Sequence, residues 1–314
     1  MPASTFRLAI ATYAAMPALY DDDRLLLPAL QAEGIAAEPC VWSAPGIDWS
    51  ALDAVLLRST WDYFEHYAAF CRWLDALPVP SVHARALVHW NSDKRYLAEL
   101  EARGVATVPT RFCRGDALDA AFAGQDGREL VVKPRVSGGA WHTVRGVVGT
   151  PAFAAAVAAL PRALEYMVQP FLPEIASEGE WSLLFFGGEF SHAVLKRPAA
   201  GDYRVQLQFG GSAARIDPPA ALLDAARHVL DATTAAGHGP IDYARVDGVI
   251  VDGRFLLMEL ELIEPFLHLG AHAPAAARFA SVLRARLEAL SSSRRRTVTV
   301  RQRTVRPAEL GASD

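Results

Sequence analysis

The sequence predicts an α/β protein in three parts followed by a basic tail. Three observations predict it. Apolar strand-like runs alternate with helical runs in the first third. Two strand pairs turned at Gly187-Gly188 and Asp252-Gly253 read as antiparallel hairpins in the second half. And 52% hydrophobic residues over 314 positions suffice for more than one core. Arg7-Leu-Ala-Ile-Ala-Thr-Tyr reads as the first strand, followed by a helix-like run from Asp23 to Gly34. Strands at Ala37–Trp42 and Ala54–Arg58 complete a parallel, Rossmann-like unit. Residues 64–77 read as a helix that Pro78-Val-Pro ends, and a boundary falls near residue 88. Asn91-Ser92-Asp93 carries helix-capping chemistry for a helix to about Arg103, closed by Gly104. From there to residue 172 the order is strand, helix, strand, helix, strand, with Glu129–Pro134 and Tyr166–Phe171 as strands. Trp181–Phe186 and Phe190–Lys196 form one hairpin, and Arg245–Val251 with Arg254–Glu259 form the other. Helices are expected over 219–236 and 274–290. The parts are therefore 1–88, 89–172, 173–290 and a mobile basic tail, 291–314.

Charge narrows the function classes. The net charge of −4 argues against nucleic acid as a partner, and the apolar content excludes disorder for most of the chain. Cys40, Cys71 and Cys113 are odd in number and far apart, which fits a reduced, cytoplasmic setting. The opening residues lack the order of an export signal, and no membrane span is expected. Basic positions are filled by 28 arginines and three lysines, Lys94, Lys133 and Lys196. A lysine retained against that bias marks a place where a compact ammonium on a flexible stem is needed. Asn91 is the sole asparagine.

No P-loop, Gly-x-Gly-x-x-Gly, His-Glu-x-x-His or Gly-x-Ser-x-Gly pattern occurs. His268 and His272 lack an acidic partner for zinc and read as surface or packing residues. The main signal is acidic. Glu259 and Glu261 share a strand face, and Asp247 lies on the partner strand. Carboxylates crowded on an apolar strand call for a cation, and a hard divalent metal with oxygen ligands supplies one. A three-residue loop, 252–254, would pair Asp247 with Glu259, whereas a two-residue loop would pair it with Met258; the former is expected. Lys133 precedes Ser137-Gly138-Gly139, a lysine beside a Gly loop where phosphate oxygens can be met by N–H groups and an ammonium. Lys196 and Arg204, near a hairpin end, form a candidate clamp for a phosphoryl group or a carboxylate.

Taken in order along residues 88–270, the lysines, Gly loop and carboxylates resemble the ATP-grasp superfamily of carboxylate–amine ligases. The resemblance implies an ATP-grasp fold: an N-terminal Rossmann-like domain on the substrate side (1–88), a central lid subdomain (89–172) and a C-terminal α+β subdomain (173–290). It implies that Lys94, Lys133, Ser137, Gly138 and Gly139 contact ATP phosphates. Gln169, Phe171 and Leu172 correspond to the strand that meets adenine. Glu180 corresponds to the ribose acid, with Glu178 its rival. Lys196 and Arg204 match the pair on phosphate and acyl-phosphate oxygens, and Asp247, Glu259 and Glu261 the ligands of Mg2+ or Mn2+. Two positions depart from the pattern. Glu261 stands where asparagine is usual, and Ser182 where an arginine often follows the ribose acid.

Leu57-Arg-Ser-Thr-Trp-Asp-Tyr, Trp90-Asn-Ser-Asp-Lys-Arg-Tyr-Leu, Phe185-Phe-Gly-Gly and Met258-Glu-Leu-Glu-Leu-Ile-Glu-Pro together resemble the cycloserine synthetase branch. Its members are O-ureido-serine cyclo-ligases, which use ATP to close a ring. Arg58 and Asp62 follow a strand of the first domain, where open α/β sheets bind ligands, and are the candidate contacts to a small amino-acid-like substrate. Three other readings stay open. One is an intermolecular amino-acid or peptide ligase of glutathione-synthetase type, another a phosphorylating enzyme without amide formation. The third is a nucleotide-binding regulator without turnover. Ligases of this architecture are often homodimers, although no stripe in the sequence marks an interface.

Overall fold

The computed structural model describes residues 6–304 except Ala200, Tyr203 and residues 206–208, with side chains described as far as Ser293. The first domain opens with β1 (Phe6–Thr12), α1 (Asp21–Arg24), α2 (Leu26–Ala32), β2 (Ile35–Val41) and β3 (Ala54–Leu57), in a parallel sheet of order β2-β1-β3. β1 is central and buried almost throughout, which is why it reads as an unbroken apolar run. α3 (Tyr67–Ala76) and α4 (Arg85–Ser92) lead out of this domain, and α4 runs across residue 88. Asn91 and Ser92 close α4 rather than open the next helix; it is Asp93 that accepts the Arg95 N–H ahead of α5 (Tyr96–Ala102).

The second unit is an antiparallel sheet of order β4-β7-β5-β6 built from β4 (Arg111–Arg114), β5 (Glu129–Pro134), β6 (Val144–Val147) and β7 (Glu165–Pro170). α6 (Leu118–Ala121) and α7 (Pro151–Ala158) cover one face, where Leu130, Val132, Phe153 and Tyr166 form a core. Thr150 caps α7 by accepting the Phe153 N–H.

The third unit follows α8 (Glu174–Ser177). It is an antiparallel sheet of order β10-β9-β8-β11-β12, from β8 (Glu180–Phe186), β9 (Glu189–Arg197), β10 (Ser212–Arg215), β11 (Tyr243–Val251) and β12 (Arg254–Glu261). Period two assigns its faces. Leu183, Phe185, Ala244, Val246 and Leu260 pack beneath α9 (Ala220–Ala235), each large side chain buried there stabilising by about 1.5–3 kcal/mol. The alternate residues face the other way. At one end Leu184, Phe186 and Tyr243 meet α10 (Ala275–Thr304), whose Phe279 stacks on Phe186 at 4.8 Å. At the other end the same face carries Glu180, Ser182, Arg245 and Asp247. α10 also packs against β1 and α2, so the last helix joins the first and third units. It runs on past residue 290 through Thr304, since the first proline beyond its start is Pro307. The mobile-tail expectation for residues 305–314 lies outside the described residues.

The β11–β12 register corrects one expectation. Asp247 does pair with Glu259, but the turn has two residues, not three: Val251 pairs with Arg254, with Asp252 and Gly253 at φ 49° and 75°. Gly248 pairs with Leu257, and the shift between the two pairs leaves Met258 as a bulge. That one extra residue brings Glu259 to the face of Asp247.

Candidate active site

The polar end of the C-terminal sheet is a network of buried charges. Arg245, 9% exposed, sits two residues before Asp247 on β11 and therefore on the same face. Its Nη2 donates to Asp247 at 2.8 Å and to Glu261 at 2.5 Å, and its Nε reaches both Asp247 oxygens at 3.0 Å. Ser182, paired with Asp247 across β8–β11, donates its hydroxyl to Oδ1 at 2.5 Å. Lys196 pairs with Glu180, its register partner on β8, and lies 3.6 Å from Asp247. Ser182 therefore does what the arginine often found there would not: it satisfies a carboxylate without adding charge.

The electrostatics divide the three acidic candidates. Burial opposes ionisation of Asp247, but Arg245 and Lys196 outweigh it and hold the carboxyl down to about 2. Burial likewise opposes ionisation of Glu259, and Lys133 and Lys94 bring it to about 2. Glu261 is pushed up to about 7, because burial and the negative charges of Asp247 and Glu259 exceed the pull of Arg245. Burial also disfavours the Lys196 ammonium, yet Asp247 and Glu180 keep its pKa above the ordinary lysine value.

The β4-β7-β5-β6 sheet meets this network through one strand. Lys133 on β5 donates to Glu259 at 2.7 Å. Lys94, 7% exposed, donates to the Ser137 carbonyl at 2.6 Å, and its own N–H reaches the Arg135 carbonyl at 3.0 Å. The helix after α4 is thereby latched to the Gly loop between β5 and β6. Gly138 has a steric reason to be glycine: a Cβ there would stand 2.7 Å from Cε1 of Phe64 in the first domain. Gly139 adopts a φ of 57°. At the far end of β7, buried Gln169 donates to Thr110, Arg145 lies over the Phe171 ring at 3.5 Å, and Leu172 packs against Ile175, Val205 and Val249. Arg204, between β9 and β10, is held by Asp202 and lies over the Phe209 ring.

In the first domain, Arg58 is 1% exposed. It bonds Asp23 at 2.9 Å and the Pro265 carbonyl at 2.5 Å, tying β3 to the segment after β12. Its Nη1 is buried without a partner among the described residues. Most of this guanidinium is therefore committed within the chain, which leaves only Nη1 for the expected substrate carboxylate. Asp62 accepts the Trp42 indole N–H at 2.7 Å.

Sequence reasoning missed three residues here. Arg245 was legible by period two from Asp247. Glu264 carries a carboxyl pushed up to about 8 by burial and by Glu261, and its carbonyl accepts Trp61 Nε1 at 3.0 Å. Asn91 covers the free edge of β12, donating to Leu260 O and accepting from Leu262 N, both at 2.8 Å, while Tyr96 accepts the Leu260 N–H. The backbone on either side of Glu261 is thus fixed from α4 and α5. Asn91→Ala should destabilise the fold by about 2 kcal/mol or more, because two buried backbone groups lose their partners; urea unfolding checks this.

Fold and site together define an ATP-grasp ligase. The family described as the N-terminal domain of D-cycloserine synthetase DcsG matches residues 8–84. The cycloserine biosynthesis protein DcsG of Streptomyces lavendulae is 32% identical over 304 residues, covering 90% of this chain and 99% of that one. The crystal structure of D-cycloserine synthetase DcsG matches with a TM-score of 0.80 at 32% identity, covering 90% and 99% of the two chains. The D-alanine–D-alanine ligase of Bacillus anthracis matches with a TM-score of 0.64 at 18% identity over 93% of this chain and 99% of that one, a likeness of fold alone. The chain belongs to the DcsG family of ATP-grasp ligases. None of its described helices is long and apolar enough to cross a membrane.

Proposed function

We propose that this ligase uses ATP to phosphorylate an oxygen of a small amino-acid-like substrate and then forms a C–N bond within the same molecule, releasing ADP and phosphate. The observation that carries the reading is the meeting of Lys133, Lys196 and Arg245 with Asp247, Glu259 and Glu261 between lid and C-terminal sheet. Pure nucleotide binding does not call for so many buried charges around one point. Membership in the DcsG family supports the intramolecular form.

The donor set fits a hard divalent cation, since it offers three carboxylates on paired strands. Among the described residues no three acidic, His or Cys side chains converge as a ready-made cage; the oxygens turn to Lys133, Arg245 and Lys196 instead. Asp247, Glu259 and Glu261 would hold Mg2+ or Mn2+, which offsets charge on the transferring phosphoryl group. Lys94, Lys133 and the N–H groups of Ser137, Gly138 and Gly139 hold the nucleotide phosphates. Gln169, Phe171 and Leu172 line the adenine, and Glu180 takes the ribose. Lys196 and Arg204, with Arg245 sharing Asp247 with Lys196, stabilise the acyl phosphate. A substrate carboxylate oxygen attacks the γ-phosphorus and ADP leaves. A nitrogen then attacks the acyl carbon, phosphate leaves, and the nitrogen's proton passes to solvent.

The test is ADP release with Mg2+ and ATP, adding O-ureido-D-serine in one reaction and pooled amino acids in another, with product masses read. ADP with the ureido compound alone and a ring-closed mass is the expected result. ADP only with pooled amino acids would assign an intermolecular ligase, and ATP-dependent thermal stabilisation without ADP in either reaction a regulator. Gly138→Ala checks the lid. The Cβ must displace Phe64, so ADP formation should fall roughly ten- to a hundred-fold through misplaced phosphates while the melting temperature hardly moves.

A further inference from the structure

The first domain contains a cavity of about 590 Å³ lined by Trp42, Ser43, Trp49, Asp62, His66 and Trp73 among others. Its walls come from the segments just beyond β1, β2 and β3, the carboxyl end of an open parallel sheet, where such sheets receive ligands. The three indoles form a continuous aromatic wall, with Trp42 and Trp49 at 5.8 and 5.4 Å from Trp73. Two polar features remain unanswered by the protein. Asp62 accepts the Trp42 N–H at Oδ1, and no lysine or arginine pairs with it among the described residues. Trp73 Nε1 is buried without an acceptor among the described residues.

The chemistry of these walls selects the occupant. An anion would meet the Asp62 charge, and a neutral aromatic ring would leave that charge unanswered. A protonated amine answers both walls, attracted by the indole faces and donating to the free carboxylate oxygen. We propose that this cavity is an ammonium-binding pocket for the protonated amine of the small amino-acid-like substrate, recognised by Asp62 and the three tryptophans. The identity of that occupant rests on the ligase reading above; the cation chemistry of the pocket does not.

The loop carrying Asp62 touches the segment after β12 on one side and the Gly loop on the other. Trp61 donates to the Glu264 carbonyl at 3.0 Å, and Phe64 lies against Gly138 and 5.6 Å from the Trp141 ring. An amine held here as ammonium has no lone pair, so it cannot be the nitrogen that attacks the acyl carbon. The new bond must then be made by a second nitrogen.

The test uses tryptophan fluorescence and calorimetry on the full chain with D-serine, ethanolamine and N-acetyl-D-serine, for wild type and Asp62→Asn. The asparagine keeps an acceptor for Trp42 and removes only the charge. Trp49→Leu is the second variant, at the partly exposed edge of the aromatic wall. The two amines should bind wild type, the N-acetyl compound should not, and each variant should weaken the amines about ten-fold or more while ATP affinity holds. Binding of the N-acetyl compound as tight as that of D-serine would overturn the pocket. So would amine affinity unchanged in both variants, or no amine binding at millimolar concentration. Amine binding that depends on Asp62, with no substrate driving ADP release, would fault the ligase reading and leave the pocket standing. ADP release with amine affinity indifferent to Asp62 would do the reverse.

Discussion

Glu259→Gln is expected to lose nearly all ADP formation, a fall of about a hundred-fold or more, with the fold intact. The amide has the shape of the carboxylate but neither its charge nor its pull on Lys133, which now sits 2.7 Å away. Two functions end together: the proposed metal ligand is lost, and Lys133 loses the partner that ties β5 to the C-terminal sheet. Circular dichroism separates this from unfolding, because glutamine at this strand position keeps every backbone bond of the β11–β12 ladder. Wild-type-like turnover in the variant would sink the metal assignment.

Arg245→Met should be the most destabilising single change at the site, by about 3–5 kcal/mol, because it leaves buried Asp247 and half-buried Glu261 without their main cation. The loss should depend on pH in a defined direction. In the native chain Asp247 is held at about 2 against an ordinary 3.8, so its ionised form stabilises the fold above about pH 4, and this contribution is lost as pH falls through 2. Without Arg245 the Asp247 pKa rises. The Asp247 share of the gap between variant and wild type should therefore be full near neutrality and shrink on acidification toward pH 2, while the Glu261 share already shrinks as pH falls through about 7, where that carboxyl takes up its proton in the native chain. Urea midpoints at several pH values read this directly. A gap that widened on acidification would mean that Asp247 is not held down by Arg245.

The separate elements of the site were legible to different degrees, for physical reasons. The three lysines stood out because arginine fills every other basic position among Lys and Arg, and two of them, Lys133 and Lys196, are paired with half-buried carboxylates. The pairing of Asp247 with Glu259 was foreseen through a longer turn; the Met258 bulge produces it instead, and no residue type in Leu256-Leu-Met-Glu marks a bulge. Arg245 was overlooked as a basic residue at a strand start, although period two from Asp247 places it on the site face. Asn91 drew notice only as the sole asparagine and a helix-capping residue. Its bonds to a strand 169 and 171 residues away lie beyond any local pattern. The same holds for the aromatic pocket, since Trp42, Trp49, Asp62 and Trp73 come from separate segments that converge at the sheet's carboxyl end. Arg58, read from sequence as a substrate contact, is mostly taken up by Asp23 and Pro265, because the segment after β12 folds back over the first domain.

The central claim is that bond formation passes through a phosphorylated substrate oxygen. It is tested most directly with the compound that drives ADP release, carrying heavy oxygen in its carboxyl group, by weighing the phosphate released in a single turnover. The account predicts one heavy oxygen in that phosphate, carried there when the acyl–oxygen bond breaks. Phosphate without the label, with both heavy oxygens retained in the product, would contradict it.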